Sequence, residues 1–169
     1  MKTLVVVDLQ KGFLRNGCQD TLNKIEKAAQ SSYFDHIIAT RFLNHPDSHF
    51  EKYLGWRGLS KVEEQIIASD IVIKKAQIVF DKDSYSFLNT SFLNLLQNCA
   101  YGKLFLAGAD TDACILKSAF DCFEMGLDFC VIEDCCFSSG GKTMHDYAIQ
   151  IMKRSLGLKQ VCCLDELNI

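Results

Sequence analysis

Three side chains of different chemistry stand where apolar runs of the chain end. Asp8 closes the run in VVVDLQKGF, Lys82 lies in FDKDSYSF, and Cys114 lies in LAGADTDACILKSAFD. A carboxylate can accept and return a proton, a thiol can become a nucleophile, and an ammonium can steady developing negative charge. Each apolar run reads as a β-strand, so the three groups fall at or just past strand carboxyl ends. In open α/β sheets that edge is where ligands bind.

Each residue taken alone has a plainer role. Asp8 could cap a turn, Lys82 could be a solvated surface charge, and Cys114 could be one more buried helix cysteine among nine. Position sets Cys114 apart, because it alone opens a helix directly after a strand that ends in glycine, Gly108. Backbone N–H groups and the helix dipole at such a place favour thiolate. The same unpaired N–H groups can hold an oxyanion.

The elements that must bring these residues together alternate along the chain. Strands are expected at 3–7, 36–40, 78–80, 103–107, 127–132 and 160–164, each an apolar run of the kind buried on both faces of a parallel sheet. Helices are expected between them. One spans 20–33, with Asp20 as cap. A second opens on the capping-box pattern of Ser60 and Glu63 and ends near Ser69. Others run over 91–99, closed by Gly102, over 112–125, stopped by Gly126, and over 142–155, ended by Gly157. Six strands separated by helices predict a parallel sheet covered on both faces. The longest irregular connection is 41–59, and long loops in compact domains are often functional.

Composition removes several classes of function. The 169 residues are 49% hydrophobic and 23% charged, enough for one globular domain with a large core. A net charge of −3 gives no basic footprint, so nucleic acid is not an expected partner. No apolar run reaches the roughly 18 residues of a membrane span, and Asp8 and Lys11 follow the first run at once, which reads against a signal peptide. The adjacent pairs Cys135-Cys136 and Cys162-Cys163 match neither zinc-site spacing nor a disulfide framework. A reducing cytoplasm, with most thiols acting as small hydrophobes, is the simplest setting.

VVVDLQKGF, the KxxYSF of Lys82 to Phe87, and the GxxTxxCI of Gly108 to Ile115 together resemble the three signatures of the isochorismatase-like cysteine hydrolases. Order and spacing agree, the later GLDFCVIEDCC resembles the strand that follows in that family, and the resemblance spans nearly the whole chain. It implies a single three-layer α/β/α, Rossmann-like domain over 1–169 with a six-stranded parallel sheet. It also implies a Cys114-Asp8-Lys82 triad that hydrolyses small amides, and no cofactor. By the same resemblance a cis peptide precedes Asp110, and the N–H groups of Asp110 and Cys114 form the oxyanion hole. Family members often assemble as homodimers or larger homo-oligomers.

The resemblance thins at the loop TRFLNHPDSHFEKYLGW. The nicotinamidase branch holds a metal there with one Asp and His residues. His45 and Pro46 match, but Leu43 stands where that Asp is expected, with Asp47 and His49 as the only nearby substitutes. No metal requirement is therefore expected. Phe13, Leu43, Trp56 and Phe87, with Tyr85 and Phe137, are candidates for an apolar slot around a flat substrate. Phe13 and Trp56 stand out, because their loops lie nearest the triad. Residues 138–141 read as a turn bordering the slot or as a plain connection, Arg41 as an anion contact or a surface pair, and His145 as helix surface.

Three functions compete on this evidence. The leading one is a cysteine hydrolase that cleaves a C–N bond of a small amide or ureido compound through a thioester. The second is isochorismatase-type vinyl-ether hydrolysis, against which Cys114 speaks, since the members so active lack the thiol. The third is a flavodoxin-like binding module, for which DLQKGFLRNG is a poor phosphate-binding turn.

Overall fold

The strand KTLVVV, β1 (Lys2–Val7), is buried from Thr3 onward and forms the middle of the molecule. The computed structural model describes residues 1–15, 17–98 and 101–169. Beside β1 run β2 (His36–Phe42), β3 (Ile78–Lys82), β4 (Lys103–Gly108), β5 (Phe129–Cys136) and β6 (Val161–Cys162). All pairs are parallel, in the order β3-β2-β1-β4-β5-β6. The order reverses between β1 and β4, the kind of switch point at which α/β sheets open a crevice.

Helices α1 (Gln19–Gln30), α2 (His49–Leu54), α3 (Val62–Gln65), α4 (Asp70–Lys75), α5 (Thr90–Asn98), α6 (Leu116–Glu124) and α7 (Lys142–Ser155) fill the connections. Side chains alternate across a strand, so Leu4 and Val6 enter one core while Val5 and Val7 enter another. The first core takes Ile25 and Ala29 of α1 and Val72 of α4. The second takes Phe92 of α5, Ala119 and Cys122 of α6, and Ile149 and Met152 of α7. Two buried layers around one sheet make the expected three-layer α/β/α arrangement. Among the described residues no helix is long and apolar enough to cross a membrane.

Several local expectations are corrected. Ser60 does not cap a helix over 60–69; its hydroxyl donates to the Arg57 carbonyl, and α3 is a single short turn. The backbone beyond α3 is taken by the loop after β1: Lys11 N–H donates to Ile66 O at 2.8 Å and Ala68 N–H to Leu9 O at 2.7 Å. Extended pairing there excludes helix. Ser69 then starts an element rather than ending one, its Oγ accepting from Val72 N–H at 3.1 Å to cap α4. Asp20 lies inside the first turn of α1 and Cys18 occupies the cap position, while α1 stops at Gln30. The strand expected at 127–132 runs instead to Cys136, past a register shift against β4. Cys99, expected to end α5, lies outside the described residues.

Candidate active site

Asp8, Lys82 and Cys114 come from three different connections and meet at the carboxyl end of the sheet. Asp8 follows β1 directly with φ 45°, a left-handed backbone that Asp tolerates better than most residues. Its N–H donates to Thr40 Oγ1 of β2 at 3.1 Å, and that hydroxyl donates to Asp8 Oδ1 at 2.7 Å. Gln10 ties the same loop to β2, accepting from Phe42 N–H at 2.7 Å and donating to Phe42 O at 2.9 Å and Gln65 O at 3.1 Å. These bonds fasten the turn that carries Asp8 to the end of β2.

Lys82 ends β3 with its side chain fully buried. Its Nζ donates to the carbonyls of Ser84 at 2.7 Å and Tyr85 at 3.0 Å, lies 2.6 Å from Asp8 Oδ2, and donates to Cys114 Sγ at 3.7 Å. The Asp8 contact is close but oblique, so Oδ2 accepts no aligned hydrogen bond among the described residues. Oδ1 takes the Thr40 hydroxyl, so Oδ2 is the oxygen paired with Lys82. Burial works against the Lys82 charge, but Asp8 and the Cys114 sulphur outweigh it and hold the ammonium above the ordinary lysine range.

Cys114 is 3% exposed and sits in a π-helical turn, Thr111–Ile115, that precedes α6. A π turn widens the helix by one residue and recurs at functional sites; here Ile115 N–H reaches back to Asp110 O at 3.0 Å. Resting thiolate is not what this setting favours. Burial pushes the thiol well above its usual value and the Asp8 carboxylate pushes it further, with Lys82 opposing. The thiolate expected from the helix terminus is therefore not favoured, because burial and the neighbouring Asp8 carboxylate both raise the thiol.

The Ala109–Asp110 peptide is cis, as the family resemblance implied. Among the described residues, the N–H of Asp110 meets no acceptor and that of Cys114 meets none outside its own turn. Gly108 has φ 120°, and a Cβ there would collide with the Val7 carbonyl, so only glycine lets β4 turn this close to β1. The Asp110 carboxylate accepts from Ser139 N–H at 2.7 Å and Ser139 Oγ at 2.6 Å. Burial nonetheless raises its pKa to about 6.

Cys114 and Asp110 open onto a cavity of about 380 Å³ whose walls include Phe13, Trp56 and Tyr85. An isochorismatase domain model matches residues 2–164 of the chain. The chain belongs to the isochorismatase family. Members of this family are hydrolases. Among solved structures, the chain is similar to the nicotinamidase PncA of Bacillus subtilis, at 21% identity over 95% of this chain and 98% of that one, with a TM-score of 0.80. It is similar also to PnC1 of L. infantum, solved in complex with nicotinate, at 18% identity over 98% and 93%, with a TM-score of 0.80. The nicotinamidase SaPncA of Staphylococcus aureus gives 23% identity over 95% and 96%, with a TM-score of 0.72. At these identities the likeness concerns the fold. No curated protein sequence matches the chain.

Within this isochorismatase fold the other singled-out residues part company. Phe13 and Trp56 line the cavity, stacked with centroids 6.2 Å apart. Leu43 and Phe87 do not line it. Phe87 is wholly buried in the second core, its ring 4.7 Å from Phe92 of α5. Phe137 lines a separate groove, and Ser139 is the member of 138–141 that reaches the cavity. Arg41 pairs with Asp81 through bonds of 2.7 and 2.8 Å. His145 is not simple surface: its Nδ1 shares a 2.8 Å hydrogen bond with Thr111 Oγ1, at the start of the Cys114 turn.

The loop residues do not fit the metal of the nicotinamidase branch. Leu43 offers no donor atom, and His45 Nδ1–H donates to the Pro46 carbonyl at 2.9 Å. His45, Asp47 and His49 are exposed, and none lines the cavity. Among the described residues no three His, Cys, Asp or Glu side chains gather as a donor set. Gln10, Thr40 and Glu64 are site residues that sequence reading passed over. The signal for the first two was a polar residue at the end of a buried apolar run.

Proposed function

We propose that the chain is a cysteine hydrolase that cleaves the C–N bond of a small amide or ureido compound, with Cys114 as nucleophile, Asp8 as proton carrier and Lys82 as electrostatic support. The observation that carries this reading is the convergence of the buried Asp8–Lys82 pair, 2.6 Å apart, on a thiol 3.7 Å from the same ammonium, at the floor of a cavity.

The chemistry follows from the groups. As substrate enters, Asp8 takes the Sγ proton, and the sulphur forms a bond to the carbonyl carbon. The carbonyl electron pair moves onto oxygen, and the N–H groups of Asp110 and Cys114 receive that charge. Collapse breaks the C–N bond as Asp8 returns its proton to the departing nitrogen, leaving ammonia or an amine and a thioester. Water, deprotonated by Asp8, then attacks the thioester, and the acid leaves as the thiol regains a proton. Lys82 pairs with the Asp8 carboxylate, so that neither buried charge stands alone. Phe13 and Trp56 provide flat apolar contact for the substrate.

Ammonia release from a panel of small carboxamides tests the reading. Wild type should turn over at least one, iodoacetamide should stop it, and Cys114→Ala and Asp8→Asn should each abolish it with the fold intact by circular dichroism. Hydrolysis by Cys114→Ala at the wild-type rate would overturn the scheme.

A further inference from the structure

Building on that amide-hydrolase reading, we infer that the cavity selects substrates bearing a cationic nitrogen, which Glu64 and the surrounding rings hold.

Two carboxylates line the cavity, and the protein treats them differently. Asp110 is fully occupied by Ser139. Glu64 forms no hydrogen bond and no ion pair among the described residues; its Oε2 is out of reach of solvent, so Oε1 is the oxygen that a ligand in the cavity can meet. A carboxylate on a cavity wall with no donor from the protein is available to the donors of a ligand. A cation stands near and is turned elsewhere: Arg15 lines the same cavity but donates its Nη1 to the carbonyls of Gly12 at 3.1 Å and Leu14 at 2.8 Å. The Glu64 side is closed by backbone, since a Cβ on Gly12 would lie 3.1 Å from Glu64 Cβ.

The rest of the wall suits the same ligand. Phe42 lies 5.9 Å from Trp56, and Phe50 lies 4.9 Å from Tyr85, both as ring centroids, and all four line the cavity with Phe13. Aromatic faces attract cations, and an ammonium supplies three donors at once. A neutral ring would gain the stacking and leave Glu64 unpaired. An anionic group would meet Glu64 as like charge. Lys82 does not reverse this balance, because Asp8 neutralises it within the floor.

Binding to the Cys114→Ala protein, measured by calorimetry, tests the inference apart from turnover. The probes are meta-(aminomethyl)benzamide and its uncharged isostere meta-ethylbenzamide. The ammonium compound should bind about tenfold tighter, and in Cys114→Ala/Glu64→Gln that preference should fall to about twofold or less. Equal binding of the two probes to Cys114→Ala would overturn the inference even if the double variant failed to fold, and so would a preference that survives Glu64→Gln. Ammonia release by wild type from either probe is scored separately. Charge-selective binding without turnover of either probe would leave the cation site standing, and the hydrolase reading then rests on the carboxamide panel and the Cys114→Ala control alone.

Discussion

Thr40 and Asp8 hold each other through two hydrogen bonds, Asp8 N–H to Thr40 Oγ1 at 3.1 Å and Thr40 Oγ1–H to Asp8 Oδ1 at 2.7 Å. Both residues are fully buried, Thr40 on β2 and Asp8 just past the end of the neighbouring β1. The threonine hydroxyl has one proton, and committing it to Oδ1 fixes the carboxylate so that Oδ2 faces Lys82. Thr40 thus positions the carboxylate of Asp8, the group proposed to carry the proton.

Thr40→Val keeps the shape and removes both bonds. It leaves a buried N–H and a carboxylate oxygen without partners, which costs about 1–3 kcal/mol each. The melting temperature should fall, and kcat/KM should drop by about tenfold or more as the carboxylate loses its alignment. Thr40→Ser should recover most of both. Wild-type kinetics in Thr40→Val would show that Asp8 needs no such anchor.

Asp8→Asn separates thiolate formation from proton transfer. The Asp8 charge raises the Cys114 pKa while Lys82 lowers it, on top of the larger effect of burial. Removing the Asp8 carboxylate takes away the larger of the two raising carboxylates, Asp110 being the other, and leaves Lys82 in place, so the thiol should ionise more easily. Iodoacetamide labelling of Cys114 near neutral pH, followed by peptide mass spectrometry, should become faster in Asp8→Asn even though amide hydrolysis is lost. Slower labelling would mean that Asp8 is what activates the resting sulphur.

Asp110 gives a pH dependence of definite sign. Its pKa is raised to about 6 by burial, against about 4 in an unfolded chain. The folded state therefore binds its proton more tightly, and the resulting stability is fully present below about pH 4 and lost as pH rises through about 6. The amount is on the order of 2–3 kcal/mol. Melting curves of wild type and Asp110→Asn between pH 4 and 7 should show this slope in the first and a flatter profile in the second. Parallel profiles would assign the slope to other groups.

The strands and the convergence of Asp8, Lys82 and Cys114 were legible because burial on both faces writes itself as unbroken apolar runs, and because these three residues stand at or just past the ends of those runs. What was not legible depends on contacts distant in sequence. Ser60 and Glu63 carry a capping-box pattern, yet the next residues are drawn into extended pairing with Leu9 and Lys11. Phe87 stands only five positions past Lys82, but which core it enters is set by α5, not by spacing. The resting state of Cys114 was misjudged for a related reason: a helix-terminus argument counts the dipole and cannot count the carboxylate that the fold sets beside the sulphur. Glu64 left no mark, since one acid in SKVEEQ looks like its neighbour until a cavity forms on one side.

The Lys82–Asp8 pair should show itself at alkaline pH. Both side chains are fully buried, so removing one charge strands the other, and breaking such a pair costs about 3–5 kcal/mol. Lys82→Met should accordingly lower the melting temperature sharply at neutral pH and abolish hydrolysis. Because Asp8 and Cys114 raise the Lys82 pKa despite burial, folding favours its proton. That contribution is complete below about pH 10, the value in an unfolded chain, and disappears as pH climbs through the higher folded value. The stability gap between wild type and Lys82→Met should therefore stay constant from pH 7 to about 10 and narrow above it. Asp8→Asn/Lys82→Met, which leaves neither charge stranded, should recover part of the stability of Lys82→Met and none of its activity. A double variant no more stable than Lys82→Met would show that the two charges do not depend on each other.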